Sequence, residues 1–178
     1  QRGGWARWAD HEYKLARTKD TWAQHQAAAE SEGGHLASVT SAAEQAHVLS
    51  LMQVKTDEHV WVGGRLDGIA WTWSDGSPAP AHGSVAGGYQ AWNGGEPSAG
   101  SEDRMIMHSA NHPAPGSWND VAGSSTFWAV YKRAPGGLTL TVGGSAQHVA
   151  ADATYFGLHR ASPSRTQLVA LDAADVAT

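Results

Sequence analysis

From Pro78 to Gly116 the chain is dominated by Gly, Pro, Ser and Ala, and only Arg104 to His108 reads as a strand within it. Short strand segments enclose this stretch. "VWVGG" (60–64) and "IAWTW" (69–73) precede it, with Ile69, Trp71 and Trp73 alternating with small or polar residues, and "TFWAVYK" (126–132) follows as a buried strand. "SDGS" after Trp73 predicts a tight turn, with Gly76 free to take positive φ. Irregular chain of such length inside one domain is uncommon and is usually functional or disordered. The fold must therefore bury a core of short elements while carrying a long loop region.

Upstream, two helices are signalled. Thr21-Trp22-Ala23-Gln24 fits a capping box, the Ala- and Glu-rich run to Glu32 favours helix, and Gly33-Gly34 stops it. Ser41-Ala42-Ala43-Glu44 repeats the signal ahead of a stripe of Ala46, Val48, Leu49 and Met52, and "HLASV" between the helices reads as a short strand. Pro135-Gly136-Gly137 reads as a linker. Beyond it "LTLTV", "ATYFGLH" and "QLVAL" are strand-like, which divides the chain into a domain over 1–134 and a β-rich extension over 135–178. An extension this short is marginal as an independent fold, so it is expected to pack on the domain or on a partner.

The chain has 178 residues, of which 41% are hydrophobic, enough for one core. It holds no cysteine, which excludes disulfides, thiolate metal sites and a cysteine nucleophile. Nine Trp against two Phe imply a core in which tryptophans join many small elements. No apolar run is long enough to span a membrane, and the initial Gln suggests a processed or trimmed start. A formal net charge of -5 with no Lys/Arg cluster argues against nucleic acid.

Inside the loop region, "NGGEPSAGSED" (93–103) supplies Glu96, Ser98, Glu102 and Asp103, and "GSWND" supplies Asn119 and Asp120 after Trp118. Carboxylate, amide, hydroxyl and backbone oxygens are the donors that calcium selects. Spacing alone does not bring the two clusters together, so solvated acidic loops stand beside a calcium cage as readings of these residues.

The series "TWAQHQAAAESEGGHLASVTSAAEQAHV", "VWVGG", "WTWSDGSP", "YQAWNGGEPSAGSED", "GSWND" and "FWAVYK" resembles a C-type lectin-like domain over roughly residues 8–134. The resemblance implies an α+β fold, two helices flanking a small, mostly antiparallel sheet, with a long loop region between core strands. It implies one calcium held by Glu96, Ser98, Glu102, Asn119 and Asp120, a cis Glu96–Pro97 peptide that aims the first two at the ion, and two vicinal sugar hydroxyls completing the coordination. The same side chains then serve the sugar, with Tyr89, His108 and His112 as candidates beside it. The Glu-first triplet implies mannose, fucose or glucose types rather than galactose. Asp103 is left as the candidate for a second calcium.

The chain departs from the pattern at Ser98, where the family prefers Asn or Asp. A hydroxyl is shorter and lacks the amide donor that would reach a sugar oxygen. Ala99 also removes an amide used at a second site. The family's disulfide positions fall here on Ala29, Arg104, Gly123 and approximately Tyr131, and missing bridges point to a prokaryotic-type relative. Arg104 stays open between pairing with an acidic neighbour and filling the lost cysteine's place.

The ten histidines are scattered, and Pro113 and Pro115 argue against a helix that would present His108 and His112 together to a metal. No nucleophile elbow surrounds a serine, and two glutamates on one flexible loop do not make a glycosidase acid and base. The resulting expectation is a non-enzymatic, secreted or cell-surface, calcium-dependent lectin or adhesin module whose partners are glycans, including cell-surface glycoconjugates. A homo-oligomer or a larger modular parent would add valency. The alternative is a lectin-like fold that binds protein, ice or a receptor, with calcium structural or absent.

Overall fold

The computed structural model describes residues 4–52, 57–81, 88–98 and 100–135, and beyond them the backbone of four strands. The chain divides into two compact units, Gln1–Arg133 and Ala134–Thr178.

The first unit is an α+β fold around one mixed sheet. Strands β1 (Ala6–Trp8), β2 (His11–Asp20), β8 (Phe127–Arg133), β4 (Val60–Asp67), β6 (Arg104–Met107) and β7 (Trp118–Val121) follow one another across it. Two short strands pair off this path, β3 (His35–Leu36) on β8 and β5 (Ala70–Thr72) on β4. Only β4 and β8 run parallel among these pairings. The two ends of the unit therefore meet at the sheet's centre, and the loop region leaves and re-enters between β5 and β6.

The helices start where their caps predict. Helix α1 (Trp22–Ser31) has Thr21 accepting from the Gln24 amide while the Gln24 side chain accepts from the Thr21 amide, a complete capping box. In α2 (Ala42–Leu51), Ser41 caps the Glu44 amide, but the Glu44 side chain turns inward. One of its oxygens accepts from Lys132 Nζ and Tyr13 Oη at 2.6 Å each, and the other accepts from the Thr40 amide at 2.8 Å. Burial alone would raise this carboxyl, yet these donors hold it below its ordinary range. The expected second capping box is thus exchanged for a buried ion pair that ties α2 to β8.

The tryptophans do what their number implies. Trp5, Trp22, Trp61, Trp71, Trp73 and Trp118 are buried in two clusters of the core. Their N–H groups are partnered where burial demands it: Trp22 donates to Val62 O at 2.9 Å and Trp61 to Asp20 O at 2.9 Å. The alternation at 69–73 stops short at its first member. Trp71 and Trp73 are buried, whereas Ile69 is fully exposed, because Gly68 and Ile69 form the two-residue turn between β4 and β5. Gly68 takes the positive φ of 66° that this turn requires.

Packing occupies the positions that correspond to the family's bridges. Ala29 and Tyr131 share one core cluster, and Tyr131 Oη meets His25 Nδ1 at 2.8 Å. Arg104 fills both of the roles left open for it. Its guanidinium pairs with Asp103 at 2.8 Å and lies over the Trp22 ring at 5.1 Å, and its Cγ would sit 3.0 Å from a Cβ at Gly123.

In the second unit β9 (Thr139–Val142) pairs antiparallel with β10 (Ser145–His148), and β11 (Tyr155–His159) with β12 (Gln167–Asp172). Three of these strands fall on "LTLTV", "ATYFGLH" and "QLVAL". Gly136 and Gly137 of the expected linker lie outside the described residues.

Candidate functional site

The site forms where the loop carrying Glu96 meets the edge strand β7. The register of β6 against β7 pairs Ile106 with Asn119 and Met105 with Asp120, so successive residues of β7 face opposite sides of the pleat. Trp118 anchors the strand. Its amide donates to Ala91 O at 2.7 Å, its carbonyl accepts from Asn93 at 2.8 Å, and its Nε1 donates to Gln45 Oε1 at 2.9 Å. Trp92 packs edge-on against it, with ring centroids 5.9 Å apart. The loop is thereby seated at Asn93, and Gly95 with φ 90° turns the chain so that Glu96 comes back over β7. The Glu96–Pro97 peptide is cis.

Here the two sequence clusters converge. The Ser98 amide donates to Asp120 Oδ1 at 2.8 Å, and Ser98 Oγ donates to Glu102 Oε2 at 2.5 Å. Glu96 lies close enough to Asp120 that a proton on one carboxyl would bond to the other. Two ionised carboxylates have no such proton. Glu96 Oε2, Asn119 Oδ1 and Asp120 Oδ2 are buried and lack any hydrogen-bond partner. Buried polar atoms are almost always satisfied, so the neighbouring orphans on Glu96 and Asp120, with a third on Asn119 of the same strand, call for a donor or a cation. Burial pushes the Asp120 carboxyl up to about 6, and the charge and hydrogen bond of Glu96 add to that against the Ser98 amide and the backbone of Asp120 itself.

Four of the expected ligands are therefore linked in space, Glu96 and Ser98 to Asp120 and Glu102 to Ser98, while Asn119 joins them as the chain neighbour of Asp120. These three orphaned atoms are oxygens, two carboxylate and one amide, which is the donor set of a hard cation such as calcium. Among the described residues no three His, Cys, Asp or Glu side chains form a ready metal cluster, so the fit rests on mixed oxygen donors.

Other expected site residues lie elsewhere. Asp103 has both oxygens engaged, one by Arg104 and one by the Gly123 amide at 3.2 Å. Tyr89 packs edge-on against Trp118 at 5.9 Å, and burial raises its hydroxyl. His108 is buried and stacks on His112 with centroids 3.7 Å apart. Among the described residues, no hydrogen bond or ring contact joins either histidine to Glu96, Ser98, Glu102, Asn119 or Asp120. The partner role of Gln45, which also donates to Gly116 O, was not legible in the sequence, since nothing in an amphipathic helix marks one Gln as a strut.

With this geometry in view, the matches to known proteins acquire meaning. The family model for the Lectin C-type domain matches residues 18–130. Mouse C-type lectin domain family 4 member F is 30% identical over 137 residues, covering 74% of this chain and 23% of its own length. Among solved structures, the C-type lectin CEL-I from Cucumaria echinata matches with a TM-score of 0.63 and 26% identity, over 74% of this chain and 96% of that one. A calcium-independent type II antifreeze protein matches with a TM-score of 0.59 and 25% identity, over 75% and 94%. The chain spans less than half the length of the first curated relatives it matches. Those relatives are animal proteins, so the prokaryotic-type expectation, drawn only from missing bridges, is not supported. No helix among the described residues is long and apolar enough to cross a membrane.

Proposed function

Because the chain belongs to the C-type lectin domain family, a family of non-enzymatic binding modules, we propose that it is a calcium-dependent carbohydrate-binding module. The observation that carries this reading is the trio of buried, unpartnered oxygens on Glu96, Asn119 and Asp120. Glu96, Ser98, Glu102, Asn119 and Asp120 would hold the ion. Bound there, calcium supplies positive charge for the orphaned oxygens and open coordination positions for two neighbouring sugar hydroxyls. The chain's own contribution is to fix the donors. Ser98 is exposed while Asp120 is fully buried, so the cage is closed below and open to solvent above. Glu96 and Glu102, each half-buried, have oxygens to spare for hydroxyl donors.

The Glu-first order supports equatorial vicinal hydroxyls of mannose, fucose or glucose type. An extracellular setting would keep a site of about 10⁻⁴ to 10⁻³ M filled, which fits a secreted or surface-displayed module that meets cell-surface glycoconjugates. A second reading, binding of ice or protein without calcium, is favoured by Ser98, whose hydroxyl is already spent on Glu102, and by the likeness to a calcium-independent antifreeze protein.

A glycan array read in calcium and again in chelator separates the two. Sugar signals that vanish in chelator and in Glu96→Ala support the lectin; signals that persist unchanged in chelator overturn it.

A further inference from the structure

Three histidines from separate segments meet at the far end of β6. His59 precedes β4, His108 follows β6, and His112 lies in the loop between β6 and β7. The His108 and His112 rings stack at 3.7 Å with 17° between planes, and His59 meets them at 5.0 and 5.9 Å near edge-on. Phe127 of β8 lies against His59 at 6.0 Å. Stacked imidazoles send their in-plane lone pairs along nearly parallel lines, so the pair does not chelate one ion.

The hydrogen bonds assign the protons. Ser117 Oγ donates to Ala114 O at 2.7 Å and therefore accepts from His108 Nδ1 at 2.9 Å. A second proton on His108 must then enter at Nε2, in a buried stack. His59 Nδ1 accepts the Ser109 amide at 3.1 Å, and His112 Nδ1 accepts the Ala114 amide at 3.1 Å, with Ala114 O at 3.3 Å. Charging His59 places a proton where that accepted bond now lies.

The surrounding charges do little to welcome a cation. Asp57 and Glu58 flank His59, but Glu58 is paired with Lys19 of β2 at 2.7 Å and Asp57 accepts from Asn111 at 3.2 Å. Among the described residues, the charges that act on His108 are those of His112 and His59. Burial first, then those two rings, push His108 down to about 4; burial and His112 also lower His59, against Glu58 and Asp57. Both are lowered in the folded state, so their contribution to stability is complete above the ordinary value near 6.5 and is lost as pH falls from there toward 4.

We propose that His59, His108 and His112 form an acid-released latch on the 109–117 loop: a proton on His59 Nδ1 gives up the hydrogen bond from the Ser109 amide, a proton on His108 Nε2 puts charge into the buried ring stack, and together they free the entry to β7. That strand begins at Trp118 and carries Asn119 and Asp120, so the latch sits upstream of the candidate cage without being part of it. It stands on its own residues whether or not the cage binds calcium.

The test is amide hydrogen exchange of the full chain in chelator, expressed as protection factors. Between about pH 7.5 and pH 5.5, protection of the Ser109 amide falls by about tenfold while the centre of β2 against β8 keeps its own. His59→Asn leaves a neutral oxygen near the place of Nδ1, and its Ser109 amide changes by no more than about threefold. Unchanged protection in the wild-type chain, or an equal fall in His59→Asn, overturns the latch. Should that variant fail to fold, the wild-type ring titrations decide. His59 must titrate with the same midpoint as the Ser109 amide shift, and separate midpoints overturn it.

Discussion

The backbone amide of Ser98 donates to Oδ1 of Asp120 at 2.8 Å, across 22 residues of sequence. This bond uses one oxygen of the buried carboxylate and leaves the other, unpartnered, beside Glu96. The loop is thus held against β7 by the same side chain whose second oxygen is left without a hydrogen-bond partner.

Calcium should stabilise the fold and chelator should not. At about a hundred times its dissociation constant, an ion that binds only the folded state contributes about 2.7 kcal/mol. The expected outcome is a melting temperature that rises with added calcium in the wild-type chain and stays flat in Glu96→Ala. Scanning fluorimetry with and without chelator checks it.

Asp120→Asn separates the metal from the fold. In chelator the variant removes a buried charge that faces Glu96, keeps an oxygen for the Ser98 amide, and is expected to melt at or above the wild-type temperature, by about 1 kcal/mol. With calcium added, the wild-type chain should overtake it.

Ser98→Asn is expected to strengthen sugar binding in calcium by about threefold to tenfold, because the amide restores a donor that the hydroxyl, committed to Glu102 at 2.5 Å, does not offer. Calorimetry with mannose-type and galactose-type ligands measures both the gain and its selectivity.

Lys132→Met should destabilise the chain by about 3 to 5 kcal/mol in urea, since Glu44 would keep its charge in the core with Tyr13 and Thr40 as its remaining donors. The same network gives an acid dependence. The Glu44 carboxyl is held below its ordinary value, so its contribution is present above about 4.5 and is lost as pH falls through the lower folded value.

Gly63→Ala and Gly94→Ala form a contrasting pair. A Cβ at Gly63 would lie 2.6 Å from Leu36 O, a backbone atom fixed by the sheet, and about 1 to 3 kcal/mol of destabilisation is expected. A Cβ at Gly94 meets nothing within 4 Å and should leave stability unchanged. Equal effects in chemical denaturation would contradict the packing described.

The helices and the looped interior were legible because their signals are local: Thr21 and Ser41 cap within three residues, and Gly, Pro and Ser mark irregular chain wherever they accumulate. Strand β2 was not legible. "HEYKLARTKD" is polar and without clean alternation, and it forms a strand only because β1 and β8 flank it. Ile69 misled because alternation cannot reveal where a hairpin turns. The ligand oxygens could be named from residue type and family order, but their meeting depends on Trp118 and on pairing across the sheet, and spacing holds no record of either. Gln45 and the histidine cluster lie wholly on that non-local side.

Trp118 also bears on how such a site diversifies. Its ties end on Gln45, Ala91 and Asn93, and none of those described reaches a residue from Gly94 to Glu102. The rim is consequently a replaceable insert in a fixed socket: its chemistry can be exchanged over a few positions while the seat that aims it remains as it is.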